Sequence, residues 1–343
     1  MSDKAKSKKM YHNQFLSTDF FNGGHSLKKL FGVIASLSLA MASLVAFSSP
    51  SYASDPVWYV NQTGGTTASN GLKLEFDNGS FRIGRNGQSQ TYGADDGNGL
   101  LEAGEPLFNG VILAISSDAS RTLFRTPRYD NASNLPSLIP IGDPVTSTLS
   151  VSRVFYADLG TPGGSFDVDR DVKLTLTYDY ILFDEHFSAS YSVERPSSST
   201  MSIQLYHSID MYLDGSDSGP ASTGTRLSRL FPGRFVVQRG ALTVGGFAEK
   251  GGDAFSSYWA GSYNNITTLA LQDALPNTVT EDAETDVGVA IHFDLGTATA
   301  TASRSSFIIF SSLASVGGGG GGGNYTPEVK LNPCQAVASA ETV

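Results

Sequence analysis

A single cysteine, Cys334, stands in 343 residues. An internal disulfide is therefore excluded, and whatever fold the chain takes must be held by burial alone. Charge is also scarce, at 16% of residues, and it is lopsided: 33 Asp and Glu against 23 Lys and Arg, a net charge of −10. An acidic surface repels phosphate backbones and anionic lipid, so nucleic acid and membrane surfaces are poor partners. Tryptophan occurs twice. After residue 53 no stretch rich in Ala, Leu, Glu and Lys offers a long helix. The nucleophile elbow, the His-Glu-x-x-His zinc pair and the phosphate loop are all missing, so the chain carries no familiar signature of catalysis.

Long apolar runs are missing too, with one exception. Leu30 to Phe47 is apolar with small residues interspersed, follows Lys28-Lys29 and precedes Ser51-Tyr52-Ala53. A basic flank, a hydrophobic stretch and a small-x-small exit form a secretory leader, and Ser54 is expected to begin the mature protein. At 18 residues the same run also reaches the lower limit for a membrane anchor. Under the leader reading the mature chain keeps no membrane span, and the expected location is extracellular or cell-surface, with the periplasm as the alternative. Residues 1–53 hold six Lys and two Asp, so their removal leaves 17 basic and 31 acidic residues, net −14.

The remainder divides by composition. Residues 54–316 are long enough to bury a large core and suit one sandwich domain. Gly317 to Gly323 form an uninterrupted glycine run, read as a flexible linker, and 324–343 as a flexible tail that carries Cys334.

Within the domain the hydrophobic period is two. Leu72, Leu74 and Phe76 alternate with polar residues, Asp77-Asn78-Gly79 supplies a turn, and Phe81 and Ile83 resume. Val172–Tyr178 and Phe187–Val193 alternate on either side of Asp184-Glu185-His186 and read as antiparallel neighbours. Further strands are expected near 111–116, 149–155, 201–209, 234–238, 268–272, 287–293 and 306–311. High Thr, Ser, Val, Tyr and Phe usage fits an all-β class. About a dozen antiparallel strands cannot remain one open sheet. The expected architecture is a large two-sheet β-sandwich, each strand showing one face to the core.

Candidate chemistry gathers in 206–220. A strand delivers His207 and Asp210, and a Gly/Ser-rich loop then presents Asp214 and Asp217. Three carboxylates with loop carbonyls suit Ca²⁺; the competing reading is turn chemistry, in which Asp and Ser bond their own backbone. A second acidic loop, Asp95–Glu105, lacks the EF-hand spacing. Asp167, Asp169 and Asp171 alternate, and a cation, water or Arg170 would relieve their repulsion. Tyr258, Trp259 and Tyr263 could stack on sugar rings, or simply fill the core and rim of a sandwich. His186 and His292 stand alone.

Two segments resemble a known architecture: Tyr206–Asp210 with its Asp214–Pro220 loop, and Phe293-Asp294-Leu295-Gly296 followed by Ser305–Phe310. They resemble large β-sandwich domains of secreted or surface-anchored bacterial proteins of unassigned function. The layout of those domains is similar to the supersandwich of galactose mutarotase-like proteins. The resemblance spans Gly71 to Ser312 and implies the fold; it carries over no catalytic His or Glu. Three functions remain open: a non-enzymatic binding or adhesion protein directed at an extracellular glycan or cell-surface component and stiffened by Ca²⁺; a carbohydrate-active enzyme or sugar-binding module; or a structural component of an extracellular layer.

Overall fold

The structure is a computed structural model and describes residues 57–312 apart from 68, 93–106, 118–119, 161–162, 197–199, 224–232, 234, 240–242, 283 and 298–300. All of these belong to one of the chain's two compact units, Ser54–Val343. The expected leader (1–53), the acidic segment 95–105, the glycine run and the segment with Cys334 lie outside the described residues.

In chain order the strands are β1 Trp58–Val60, β2 Lys73–Asp77, β3 Ser80–Arg85, β4 Gln88–Ser89, β5 Asn109–Ser117, β6 Ser120–Arg125, β7 Ile139–Thr146, β8 Ser150–Ala157 and β9 Val172–Tyr180. They continue with β10 His186–Glu194, β11 Ser202–Asp210, β12 Ala221–Thr223, β13 Phe235–Arg239, β14 Thr243–Glu249, β15 Ser257–Ser262, β16 Thr278–Val279, β17 Val287–Gly296 and β18 Thr301–Ser312. The class is all-β and the pairing antiparallel, except for the two-residue parallel contact of β15 with β16. Eight strands form one sheet in the order β12-β13-β14-β18-β10-β9-β8-β7. Six form a second, β16-β15-β17-β11-β5-β6, and β1 to β4 make a small third one. The expected dozen strands in two sheets are thus eighteen in three among the described residues.

Period-two alternation sets the register. On β9 and β10, Leu174, Leu176, Tyr178, Phe187, Ala189, Tyr191 and Val193 point into the main core, which they share with Phe81, Leu205, Ile209, Val289, Phe293, Phe247, Ile308 and Phe310. An aromatic knot sits at its centre: Phe76 stacks on Tyr178 at 4.8 Å, and Phe81 meets Phe187 edge-on at 5.4 Å. Such pairs add to the burial energy of the rings themselves.

The six-stranded sheet departs from the one-face expectation. Its other face is covered as well, by a second core of Ile112, Ala114, Tyr206, Trp259 and Ala290 packed against Tyr129, Ile266 and Ala270. Ile266 and Ala270 belong to α1, Ile266–Ala270, where a strand over 268–272 was expected. A spacing of four puts both side chains on one helical face, and burying that face outweighs the weak helix propensity of Thr267-Thr268. Double coverage explains why Val287-Gly288-Val289-Ala290-Ile291-His292-Phe293 is buried throughout rather than alternating.

The small sheet is tied to the large one by an ion pair. Arg85 donates from Nε and Nη2 to Glu185 Oε1 at 2.9 and 2.7 Å, and Ser311 donates to the other carboxylate oxygen at 2.7 Å. The alternating acids at 167–171 sit in the turn before β9 instead of on a strand. Arg170 answers them, at 2.8 Å from Asp171, 3.5 Å from Asp158 and 3.6 Å from Asp167. Burial of Asp171 opposes its ionisation, but hydrogen bonds from Arg170 and from the N–H groups of Asp167 and Leu159 prevail and hold its carboxyl below the usual range.

Candidate functional site

Successive residues of a strand point to opposite faces, and this divides the residues that 206–220 appears to unite. His207 faces the main core, where it is fully buried against Phe81 and Phe247 and shares a 2.6 Å hydrogen bond between Nδ1 and the Tyr191 hydroxyl. Burial drives its pKa down to about 3, so the ring is neutral and its Nε2 has no partner. The side chains of Tyr206, Ser208 and Asp210 take the opposite face.

Asp210 ends β11 only 4% exposed. Its N–H donates to Phe108 O at 2.9 Å and its carbonyl accepts from Tyr92 N at 3.0 Å, which fixes the backbone. Nearby, the Tyr129 and Ser208 hydroxyls are 2.5 Å apart, and the Tyr263 hydroxyl donates to Phe108 O at 2.5 Å. Across the sheet Asp210 pairs with Gly288. A Cβ at Gly288 would stand 2.4 Å from Tyr263 Cδ2, so the missing side chain is what lets that ring lie over β17. Two further acids act on Asp210. Asp286 immediately precedes β17 and accepts the Tyr263 N–H at 3.1 Å, while the Asp217 carbonyl accepts the Val287 N–H at 2.8 Å. Burial first, then the charges of Asp286 and Asp217, push the Asp210 pKa up to about 9. Burial and Asp217 raise Asp286 as well, and one carboxyl oxygen of each, Asp210 Oδ1 and Asp286 Oδ1, has no hydrogen-bond partner. Tyr129 rises to about 12, mainly through burial.

The three expected calcium ligands therefore differ in setting. Asp210 is buried, Asp217 is half-buried beside it, and Asp214 is exposed at a left-handed turn position with φ of 50°. Among the described residues no three His, Cys, Asp or Glu side chains are grouped so as to hold a metal ion. The carboxyl that does stand with Asp210 and Asp217 is Asp286, which the sequence disguises as an ordinary polar residue before an apolar strand.

The three aromatics also separate. Trp259 and Tyr263 are buried in the second core, at 7% and 2% exposure, and are closed to a ligand. Tyr258 is half-buried and lines an open groove of about 420 Å³ with Phe255, Glu249, Asn277, Ser256 and Thr223. The groove lies where the edges of the two large sheets approach, joined by a 2.7 Å bond from Ala221 N to Thr280 O. Asn277 is held by reciprocal bonds: Tyr258 N–H donates to its Oδ1 and its N–H donates to Tyr258 O, both at 3.0 Å. Phe255 is braced edge-on by Phe293 at 5.6 Å and donates its N–H to Glu249 Oε1 at 3.2 Å. Gly233, with φ of 52°, leaves room for the Glu249 carboxylate, which a Cβ would meet at 2.0 Å. The combination is two aromatic side chains, a carboxylate, an amide and hydroxyls. Glu249 and Phe255 were not singled out from the sequence; the signal was the Lys250-Gly251-Gly252-Asp253 turn that projects both.

No family model matches the chain, and no curated protein matches it. Solved structures of similar layout include a bacterial glucoamylase complexed with acarbose, at 10% identity and a TM-score of 0.47, covering 76% of this chain and 33% of that one. This chain thus spans about a third of the glucoamylase. A galactose mutarotase-related enzyme from Lactobacillus acidophilus follows at 7% identity and a TM-score of 0.37, covering 75% of this chain and 98% of that one. The GalM/aldose epimerase homologue from C. elegans stands at 9% and 0.35, covering 75% and 99%. All three scores fall below 0.5, and nothing about activity follows from them. Among the described residues no helix is long and apolar enough to cross a membrane.

Proposed function

We propose that the protein is an exported, non-enzymatic glycan-binding sandwich whose ligand is a neutral sugar chain seated in the groove of Tyr258. The observation that carries this reading is the pairing of the Tyr258 and Phe255 rings with Glu249 and Asn277 in one open concavity. Aromatic faces suit the apolar faces of pyranose rings, and a few fixed polar groups orient the hydroxyls. Glycoside hydrolysis calls for two carboxyl groups about 5 to 10 Å apart across the bond. Among the described residues that line the groove, Glu249 is the one carboxylate. Binding without bond cleavage is the function this set of groups supports.

A glycan array followed by calorimetry on the best neutral oligosaccharide tests it. Tyr258→Ala should weaken binding about tenfold, the equivalent of about 1.4 kcal/mol, without lowering the melting temperature by more than a surface truncation does. Retention of full affinity by that variant, or an array with no neutral glycan bound, would remove the proposal.

A further inference from the structure

The outward face of the eight-stranded sheet carries hydroxyls in register. Ser152, Thr177, Ser190 and Ser305 form one row across β8, β9, β10 and β18, and Thr175, Ser192 and Ser303 form the next. Strand spacing and the two-residue repeat place these groups on a lattice of roughly 4.8 by 6.7 Å. The side chains between them, Leu174, Leu176, Ala189 and Val193, point into the core, so the hydroxyls own the open face. Charged residues border the rows. Lys173 and Glu194 bond each other at 2.6 Å beside the rows. Asp253 accepts from Ser305 at 2.8 Å, and Arg304 donates to Ser303 O at 2.8 Å.

The rows are not flat to the edge. The Lys250–Asp253 turn, anchored through Ser305 and through Lys250 over the Phe307 ring at 5.8 Å, rises at one margin and makes a cleft of about 240 Å³. The same turn links the two concavities: Glu249 and Phe255 line the aromatic groove, and Asp253 between them lines the hydroxyl cleft.

We infer that the hydroxyl cleft is a second subsite for the same ligand, so that the protein takes an extended neutral polysaccharide whose chain passes over the Lys250–Asp253 turn. This rests on the glycan reading of the groove and adds to it the ligand's length and its path. Ser152 and Thr177 share a 2.8 Å hydrogen bond and Ser303 donates to Ser192 at 3.4 Å; each hydroxyl oxygen keeps a further lone pair, so the rows can accept from successive sugar hydroxyls, whereas the aromatic groove alone accommodates a short segment.

Calorimetry on a length series of one neutral glycan, from disaccharide upward, with the full chain and two variants separates the two claims. Affinity should climb about tenfold with length, the worth of one or two hydrogen bonds. The near-isosteric Thr175→Val/Thr177→Val variant should abolish that climb and bind the disaccharide like the unmodified protein, while Tyr258→Ala weakens every member. A climb that persists in the double valine variant, or no climb at all, overturns the second subsite and leaves the groove standing. Absence of binding at every length overturns both.

Discussion

Asp210 and the two buried histidines pull stability in opposite directions along the pH axis. Asp210 has a folded-state pKa of about 9 against about 3.9 in an unfolded chain. Its protonated form favours the fold, so its contribution is complete below about pH 4 and drains away as pH rises toward 9. Asp286, also raised, acts in the same sense. His207 and His292, lowered by burial to about 3 and about 4, do the reverse. Their contribution is complete above about pH 6.5 and is lost as pH falls through those values. Below about pH 6.5 the two histidines together outweigh Asp210, so the melting temperature should climb to a maximum near pH 6.5 and fall above it. In Asp210→Asn the fall above pH 6.5 should become shallower, because the amide carries no charge to bury. Melts by circular dichroism from acid to alkali check this, and an unchanged alkaline limb in the variant would refute the role given to Asp210. The sequence singled out Asp210 as a calcium ligand beside Asp214 and Asp217; its neighbour Asp286 was not legible, because acids 76 positions apart meet only through the pairing of β11 with β17.

At the scale of elements, close approach and ion pairing make sharper demands than propensity. Gly288 is the second residue of the apolar strand β17, where a glycine normally weakens packing, and Tyr263 occupies the space it vacates. Gly288→Ala should cost about 1–3 kcal/mol by overpacking, read as a lower urea midpoint with an unchanged slope. The Arg85–Glu185 pair joins two sheets, with Arg85 only 4% exposed. Glu185→Ala leaves that guanidinium buried and unanswered and should cost about 3 kcal/mol, much of which Arg85→Met with Glu185→Leu should restore. Strand positions were readable wherever alternation was clean, as in Val172–Tyr178 and Phe187–Val193. The apolar run 287–293 was also readable as a strand, although both its faces are buried; strands only two residues long were not, as at Gln88–Ser89 and Thr278–Val279. Thr268–Gln272 misleads because Leu269 and Leu271 alternate with other residues at the strand period, while Ile266 and Ala270 find a buried face only as a helical turn.

Across the whole molecule, cohesion comes from two apolar cores on either side of the six-stranded sheet, and the proposed glycan groove lies at the margin of the sandwich. The absence of disulfides and the strand rhythm announced the sandwich. Which aromatics would remain outside it depended on the parity of each strand position and on edge placement, and of Tyr258, Trp259 and Tyr263 only the first lines the groove. The most direct measurement is a crystal structure of the protein with a neutral oligosaccharide bound. The account predicts sugar rings against Tyr258 and Phe255, with a polar contact to Glu249 or Asn277; sugar bound on another surface, with the groove empty, would contradict it.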